Sequence, residues 1–212
     1  MQFSIRFPLA LIVVGAIVFY VVRDVRNARM LDDVTRAAIA KIDSSGGRTQ
    51  VIETPAGRVV EVDFSDTGID DQLLARLLIR QLDVTQLYLD RTGITDASLI
   101  TIQKYKRISV LSLNEAPITD AGLAHLSGLN SLTELNLAGT AVTNAGLAQL
   151  SGLTNLRRVD LSDTAITDAG LVHLQGLGLS EIRLDGRRVK ADDFMQATPE
   201  CVIWWDLEFP TQ

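Results

Sequence analysis

A single cysteine, Cys201, stands in 212 residues. An intrachain disulfide is therefore impossible, and redox chemistry says nothing about the compartment. Its place near the C-terminus also excludes an N-terminal lipid-modified cysteine. Histidine is nearly as scarce. His125 and His173 are the only two, and they occupy the same place in a repeating pattern, two repeats apart. That equivalence marks a solvent-facing helix position rather than a metal or catalytic pair. Basic residues are outnumbered, 20 Lys and Arg against 26 Asp and Glu, for a net charge of -6. No basic face is available to neutralise phosphates, which excludes a nucleic-acid partner. Phosphate loops, zinc-ligand spacings and nucleophile motifs are missing as well. The sequence thus assigns no catalytic residue, metal ligand, cofactor or small-molecule substrate, and an enzyme is not expected.

What is present divides into unlike materials. From Phe7 to Val22, "FPLALIVVGAIVFYVV" runs for sixteen residues without a charge between Arg6 and Arg23. As a helix it is about 24 Å long, against roughly 30 Å of hydrocarbon core. Phe3 and Ile5 extend it, and arginine stems can snorkel to the headgroups. The competing reading is a cleaved signal peptide, which needs a small-x-small site soon after the apolar core. Here the core runs into "VVRDVRNARM", so residues 1–23 read as an uncleaved signal anchor and the protein as single-pass. Arg23, Arg26, Arg29, Arg36 and Lys41 follow the span while only Arg6 and the terminal amine precede it. The positive-inside rule then favours a cytoplasmic C-terminal domain; so short an N-terminal tail leaves the periplasmic or extracellular side open.

Residues 24–58 read as a linker helix and cap. Leu31, Val34, Ala38 and Ile42 recur at helical spacing, "SSGG" at 44–47 ends the helix, and "RTQVIET" and "RVVEVDF" flank "PAG" as a β-hairpin.

The rest repeats. On the pattern L-x-x-L-x-L-x-x-T-x-I-T-D-x-G-L-x-x-L, units begin at Val59, Val84, Ile108, Leu132, Leu156 and Leu179 over residues 59–201, with a truncated cap unit from Val202 to 212. The spacings are 25, 24, 24, 24, 23 and 23. A period of this size, a short strand followed by a helix, predicts an α/β solenoid. Leu132, Leu135 and Leu137 point inward from a parallel strand, and Val142, Leu147, Leu150 and Leu153 fill the same core from turn and helix. No unit buries this set alone, so stability is shared between neighbours. Thr67, Thr92, Thr140 and Thr164 form a column of hydroxyls at the strand exits, interrupted by Ala116 and Arg187. Thr95–Asp96, Thr119–Asp120, Thr143–Asn144 and Thr167–Asp168 supply acceptors for free amides at helix starts. Gly122, Gly146 and Gly170 fall inside helices, where glycine costs about 1 kcal/mol against alanine; close helix stacking is the expected reason.

Residues 59–208 resemble a leucine-rich-repeat array of the "ITDAGL" kind, similar to the cysteine-containing subclass of F-box-associated repeats with threonine in place of its cysteine. Span, cap and repeats together resemble membrane-anchored bacterial leucine-rich-repeat proteins, most of which have no assigned activity. The resemblance implies a solenoid with a parallel β-sheet on its concave face, helices on its convex face and an N-terminal transmembrane helix. No F-box-like segment precedes the repeats, so a ubiquitin-adaptor role does not carry over.

The ends depart from the pattern. "LSEIRLDGRRVKADDFMQA" keeps its strand leucines but loses the helix start, and "CVIWWDLEF" supplies a final strand-like stretch. Trp204 and Trp205 are read as cap residues over a binding hot spot, with Trp205 in the core phase. The remaining candidate site is the outward face of the strands. Its acids are Glu61, Asp63, Asp66, Asp90, Glu115, Glu134, Asp160, Asp163, Glu181, Asp185, Asp206 and Glu208, against Arg91, Arg157, Arg158 and Arg183; Tyr88 and Asn136 share the same positions. The expected partner is a protein or peptide of basic character. The alternative is an envelope or scaffold protein that acts by self-association, its acidity serving only solubility.

Overall fold

A computed structural model of the chain describes residues 33–54, 57–78 and 83–206. The apolar run at 7–22 and the acid Glu208 lie outside these residues. Among the described residues no helix is long and apolar enough to cross a membrane.

Among the described residues the chain builds one sheet of eight strands laid down in sequence order. Helix α1 (Asp33–Ser44) buries Ala38 and Ile42 and ends where Ser44 Oγ and Ser45 Oγ both donate to the Lys41 carbonyl at 2.9 Å. Gly46 takes the left-handed conformation that closes this turn (φ 87°), and a Cβ on Gly47 would overlap the Phe64 ring. Strands β1 (Arg48–Thr54) and β2 (Gly57–Asp63) pair antiparallel from Arg48 opposite Asp63 to Thr54 opposite Gly57. All later pairings are parallel: β3 (Gln86–Tyr88), β4 (Val110–Ser112), β5 (Glu134–Asn136), β6 (Arg158–Leu161), β7 (Glu181–Asp185) and β8 (Val202–Asp206). Strand register therefore advances by one repeat at each step.

The helical side differs from a row of ordinary helices. α2 (Asp71–Leu77) and α3 (Asp96–Ile102) are true α-helices. In the next three repeats α4 (Asp120–Leu123), α5 (Asn144–Leu147) and α6 (Asp168–Leu171) make one α turn, then tighten into 3-10 turns at Ala124–Leu126, Ala148–Leu150 and Val172–Leu174. Leu123 and Leu126 lie on these two turns and are fully buried, and Leu129 and Leu132 follow them at the same three-residue interval, also buried. Leu147, Leu150, Leu153 and Leu156 repeat the arrangement.

The core is the one the repeat pattern implies. Leu132, Leu135, Leu137, Val142, Leu147 and Leu150 are all inaccessible to solvent. The column threonines turn their hydroxyls on the strand just left: Thr92, Thr140 and Thr164 donate to the carbonyls of Leu89, Leu137 and Leu161 at 2.7, 2.6 and 2.6 Å. A second hydroxyl column, not legible in the sequence, lies at the strand entries. Ser109, Thr133 and Ser180 donate to Thr85, Ser109 and Arg157 carbonyls at 3.1, 3.0 and 3.1 Å.

The helix-start acids do a different job from the one expected. Thr95, Thr119 and Thr143 are the N-caps, each accepting from the amide two residues on. The acid after each cap instead reaches into the following repeat. Asp71, Asp96 and Asp120 accept from the N–H groups of Thr95, Thr119 and Thr143 at 2.8, 2.9 and 2.8 Å, and from their hydroxyls at 2.7, 2.6 and 2.6 Å. Asn144 takes the Thr167 N–H at 2.9 Å, and Asp168 takes those of Lys190 and Ala191 at 3.0 and 2.7 Å. The glycines follow from this ladder. A Cβ on Gly122, Gly146 or Gly170 would overlap Oδ1 of Asp96, Asp120 or Asn144. Where the second repeat has Ser98 at this position, its hydroxyl donates to Asp71.

At the C-terminal end α7 (Asp192–Ala197) starts without a side-chain cap. β8 pairs Glu181 with Val202, an offset of 21 residues where the sequence spacing predicts 23. A shift of two keeps every side chain on its expected face. Trp205 accordingly stands opposite Leu184 in the inward phase and Trp204 opposite Arg183 on the outer face. Neither is covered, with 36% of Trp205 and 54% of Trp204 exposed.

Candidate functional site: the open face of the sheet

Each strand offers two outward side chains, and the turn after it offers two more. Along the sheet the outward pairs are Glu61 and Asp63, Gln86 and Tyr88, Val110 and Ser112, Glu134 and Asn136, Arg158 and Asp160, Glu181 and Arg183, Val202 and Trp204, in register across all seven parallel strands. β1 adds Arg48, opposite Asp63 and salt-bridged to it at 2.6 Å. Sequence reasoning missed this cation because the hairpin was read only as a cap.

Just beyond the strands the chain turns through a left-handed residue at the same place in five units: Asp66, Arg91, Glu115, Gly139 and Asp163 have φ between 52° and 66°. Four of the five carry side chains despite the cost of that conformation, so the turn projects charge from a fixed backbone. Arg91 binds Asp66 through two hydrogen bonds, at 2.6 and 2.7 Å. A Cβ on Gly139 would press on the Glu115 side chain.

Several expected site residues turn out to be engaged within the fold. Asp63, Asn136 and Asp160 each accept the amide two residues ahead, from Ser65, Ala138 and Ser162 at 2.8, 3.0 and 3.0 Å. Asp90 accepts the Asn114 N–H at 3.0 Å and also the Ser112 hydroxyl. Asp185 is a correction to the surface reading. Only 3% of it is exposed, with Arg187 at 2.9 Å and Arg188 at 3.6 Å over it; the Arg187 hydrogen bond holds its carboxyl below the ordinary value. Asp206 lies opposite Asp185 at the end of β8, and its side chain falls outside the description.

Charge is consequently unequal along the array. In the C-terminal half acids and arginines neutralise one another: Glu134 with Arg158, Asp160 with Arg183 at 3.7 Å, Asp163 with Arg187 at 3.0 Å. A depression of about 270 Å³ there is bordered by Glu134, Arg158, Arg183 and Trp204. In the N-terminal half Arg48 and Arg91 likewise pair with Asp63 and Asp66, and carboxylates also gather about Tyr88. Burial and the charges of Glu61, Glu134, Asp63 and Asp90 push the Tyr88 hydroxyl up to about 12. Glu61 is half-buried; its burial, with Asp63 beside it, raises its carboxyl against the opposing pull of Arg48. Glu115 is exposed at the edge of the same region.

The histidines stay apart from this face, His125 in one 3-10 turn and His173 in another. Among the described residues no three His, Cys, Asp or Glu side chains are grouped to hold a metal.

Residues 128–151 and 152–174 match the leucine-rich-repeat family. No curated protein matches the chain. Among solved structures it is similar to an internalin C2 from Listeria monocytogenes str. 4b F2365, with 20% identity over 68% of this chain and 69% of that one and a TM-score of 0.48. An internalin (inlF) from the same strain gives 16% identity over 70% and 53% of the two chains, TM-score 0.43. The leucine-rich-repeat ectodomain of the receptor kinase SOBIR1 from Arabidopsis thaliana gives 14% over 75% and 96%, TM-score 0.41. The chain thus carries leucine-rich repeats in an α/β solenoid with a parallel sheet. Domains of this kind are typically protein–protein interaction modules and generally non-catalytic.

Proposed function

We propose that this protein is a membrane-tethered, non-catalytic binding module that docks an extended basic segment of a partner protein on the open face of its sheet. Residues 7–22 serve as the anchor in this reading. The observation that supports it is the group of carboxylates about Tyr88: burial and the charges of Glu61, Glu134, Asp63 and Asp90 push its hydroxyl up to about 12, while Asp63 and Glu134 also meet Arg48 and Arg158. An aromatic side chain amid carboxylates suits the stem and head of a bound lysine or arginine, the ring packing on the stem and the acids meeting the charge. Two-residue spacing of outward side chains along every strand gives a regular lattice on which an extended segment can lie. Asp160 and Asp163, already matched to Arg183 and Arg187, contribute less than Glu61 and Glu115.

Anisotropy of a fluorescent, alternating lysine–serine peptide tests this. Affinity should fall steadily as salt brings the Debye length below about 10 Å. The Glu61→Gln, Glu115→Gln double variant should bind about tenfold more weakly, as expected for loss of charge complementarity, while Asp163→Asn leaves affinity nearly unchanged. Equal binding by the double variant at low salt would reduce the acidity to a solubility device. The scaffold alternative, action by self-association, would then lead.

A further inference from the structure

β8 is the last strand of the described sheet, and the composition of its outer edge is unusual. Among the described residues nothing pairs with the side of β8 away from β7. Within β8 the residues Val202 to Trp205 carry no charge and no proline, the devices by which exposed edges are normally protected, and Asp206 at its end is its one charged residue. Val202, Trp204 and Trp205 are 50%, 54% and 36% exposed. We infer that β8 pairs with β8 of a second copy of this chain, antiparallel and centred on Trp204, joining two solenoids into one continuous sheet.

The outward backbone groups set the register, which a second copy of the same strand meets symmetrically. Val202 N–H donates to the Ser180 carbonyl of β7 at 2.8 Å. Since alternate residues of a strand turn their amides to the same side, Val202 and Trp204 address β7, and the N–H and C=O groups of Ile203 and Trp205 point outward. An antiparallel partner must use those groups. Placing Ile203 opposite Trp205 of the second copy satisfies all of them through four hydrogen bonds related by the two-fold axis. Placing Ile203 opposite itself would set Trp205 against Cys201, whose N–H is already donated to the Thr198 carbonyl at 3.0 Å. The favoured register also sets the two Trp204 side chains opposite each other at a non-hydrogen-bonded position, where cross-strand aromatic pairs approach most closely. No like charges meet across the five-residue core of this contact. Because the axis is normal to the sheet, both open faces look the same way, which presents a partner with two docking surfaces side by side.

The chain's only two tryptophans lie in this strand, so intrinsic fluorescence reports the contact directly. The full chain in mild detergent should sediment at twice the monomer mass, and its tryptophan emission should shift to the red on dilution. Trp205→Pro removes an outward N–H without touching the bonds to β7, and it should give a monomer with an unchanged circular dichroism spectrum. Association through residues 7–22 would instead persist in this variant. Trp204→Cys in a Cys201→Ser background should form an intermolecular disulfide, since Cα atoms of a non-hydrogen-bonded pair stand about 4.5 Å apart, within disulfide reach. Wild-type Cys201, six residues out of register with its counterpart, should not. A monomer at every concentration, a dimer indifferent to Trp205→Pro, or a disulfide through Cys201 would each overturn the proposal. If Trp205→Pro fails to fold, dilution of the wild type and the disulfide pattern still decide it.

Discussion

Single residues in this array are constrained mainly by the repeat before them. Gly146 illustrates it: helix propensity favours alanine there by about 1 kcal/mol, yet a Cβ would overlap Asp120 Oδ1. Gly146→Ala should therefore destabilise the protein, and Gly146→Ser should be milder because its hydroxyl can donate to Asp120 as Ser98 does to Asp71. Chemical denaturation of both variants checks the order; alanine proving the more stable would refute the steric account. Glu61 makes the opposite kind of case. Its folded carboxyl titrates above the ordinary value through burial and then Asp63, so ionisation costs the folded state free energy as pH rises through the unfolded value near 4.3 and beyond. Glu61→Gln should raise the melting temperature at neutral pH and lose that advantage in acid. A residue that lowers stability while holding charge on an open face is what a binding role would retain.

Between elements, the ladder from Asp71 through Asp96, Asp120 and Asn144 to Asp168 ties each helix start to the next. Its chemistry distinguishes acid from amide. Asp120 accepts the Thr143 hydroxyl proton, which leaves Thr143 Oγ1 free to cap Ala145 at 3.3 Å. Asn144 instead donates Nδ2 to Thr167 Oγ1 at 2.8 Å, and Thr167 makes no side-chain cap. Asp120→Asn should hence lose only the cap, about 0.5–1 kcal/mol. Asp120→Ala keeps the cap but strands the Thr143 amide and should cost about 1–3 kcal/mol. Equal losses in urea titrations would show that the inter-repeat bond contributes nothing. Acid should weaken the first rung: burial alone would raise the Asp71 carboxyl, but hydrogen bonds from Ser98 and Thr95 outweigh it and lower its pKa. A depressed carboxylate stabilises above its unfolded value and loses that contribution as pH falls through the folded one.

For the molecule as a whole, the two ends carry the decisive features. At the start, a signal anchor at residues 7–22 predicts that full-length protein stays in the membrane fraction after alkaline carbonate washing, while a chain lacking residues 1–26 is released. Recovery of a mature form beginning after residue 22 would replace the anchor with a cleaved signal. At the other end, the exposed β8 edge offers the second copy through which two open faces become one surface. Docking and pairing use different parts of the sheet, so charge variants at Glu61 and Glu115 should leave the sedimented mass unchanged.

Sequence alone determined the period, the parallel order of the strands, the inward phase of the leucines and the threonine column, because each of these repeats within one unit and is visible as spacing. It also placed Tyr88 and Glu61 on the outward face, since strand alternation has a period of two. What only the tertiary structure decided lies between units. Asp96 and Asp120 look like helix starters until the next repeat's Thr N–H is brought against them. Asp185 looks like a surface acid until Arg187 and Arg188 fold over it. The twelve outward acids form a uniform stripe on paper, but stacking sets Arg158 beside Glu134, Arg183 beside Asp160, Arg48 beside Asp63 and Arg91 beside Asp66, which breaks the stripe into matched and unmatched acids. Contacts between residues about 24 positions apart leave no mark on local pattern, since hydrogen bonds and ion pairs depend on which side chains neighbouring turns place within 3 Å of each other.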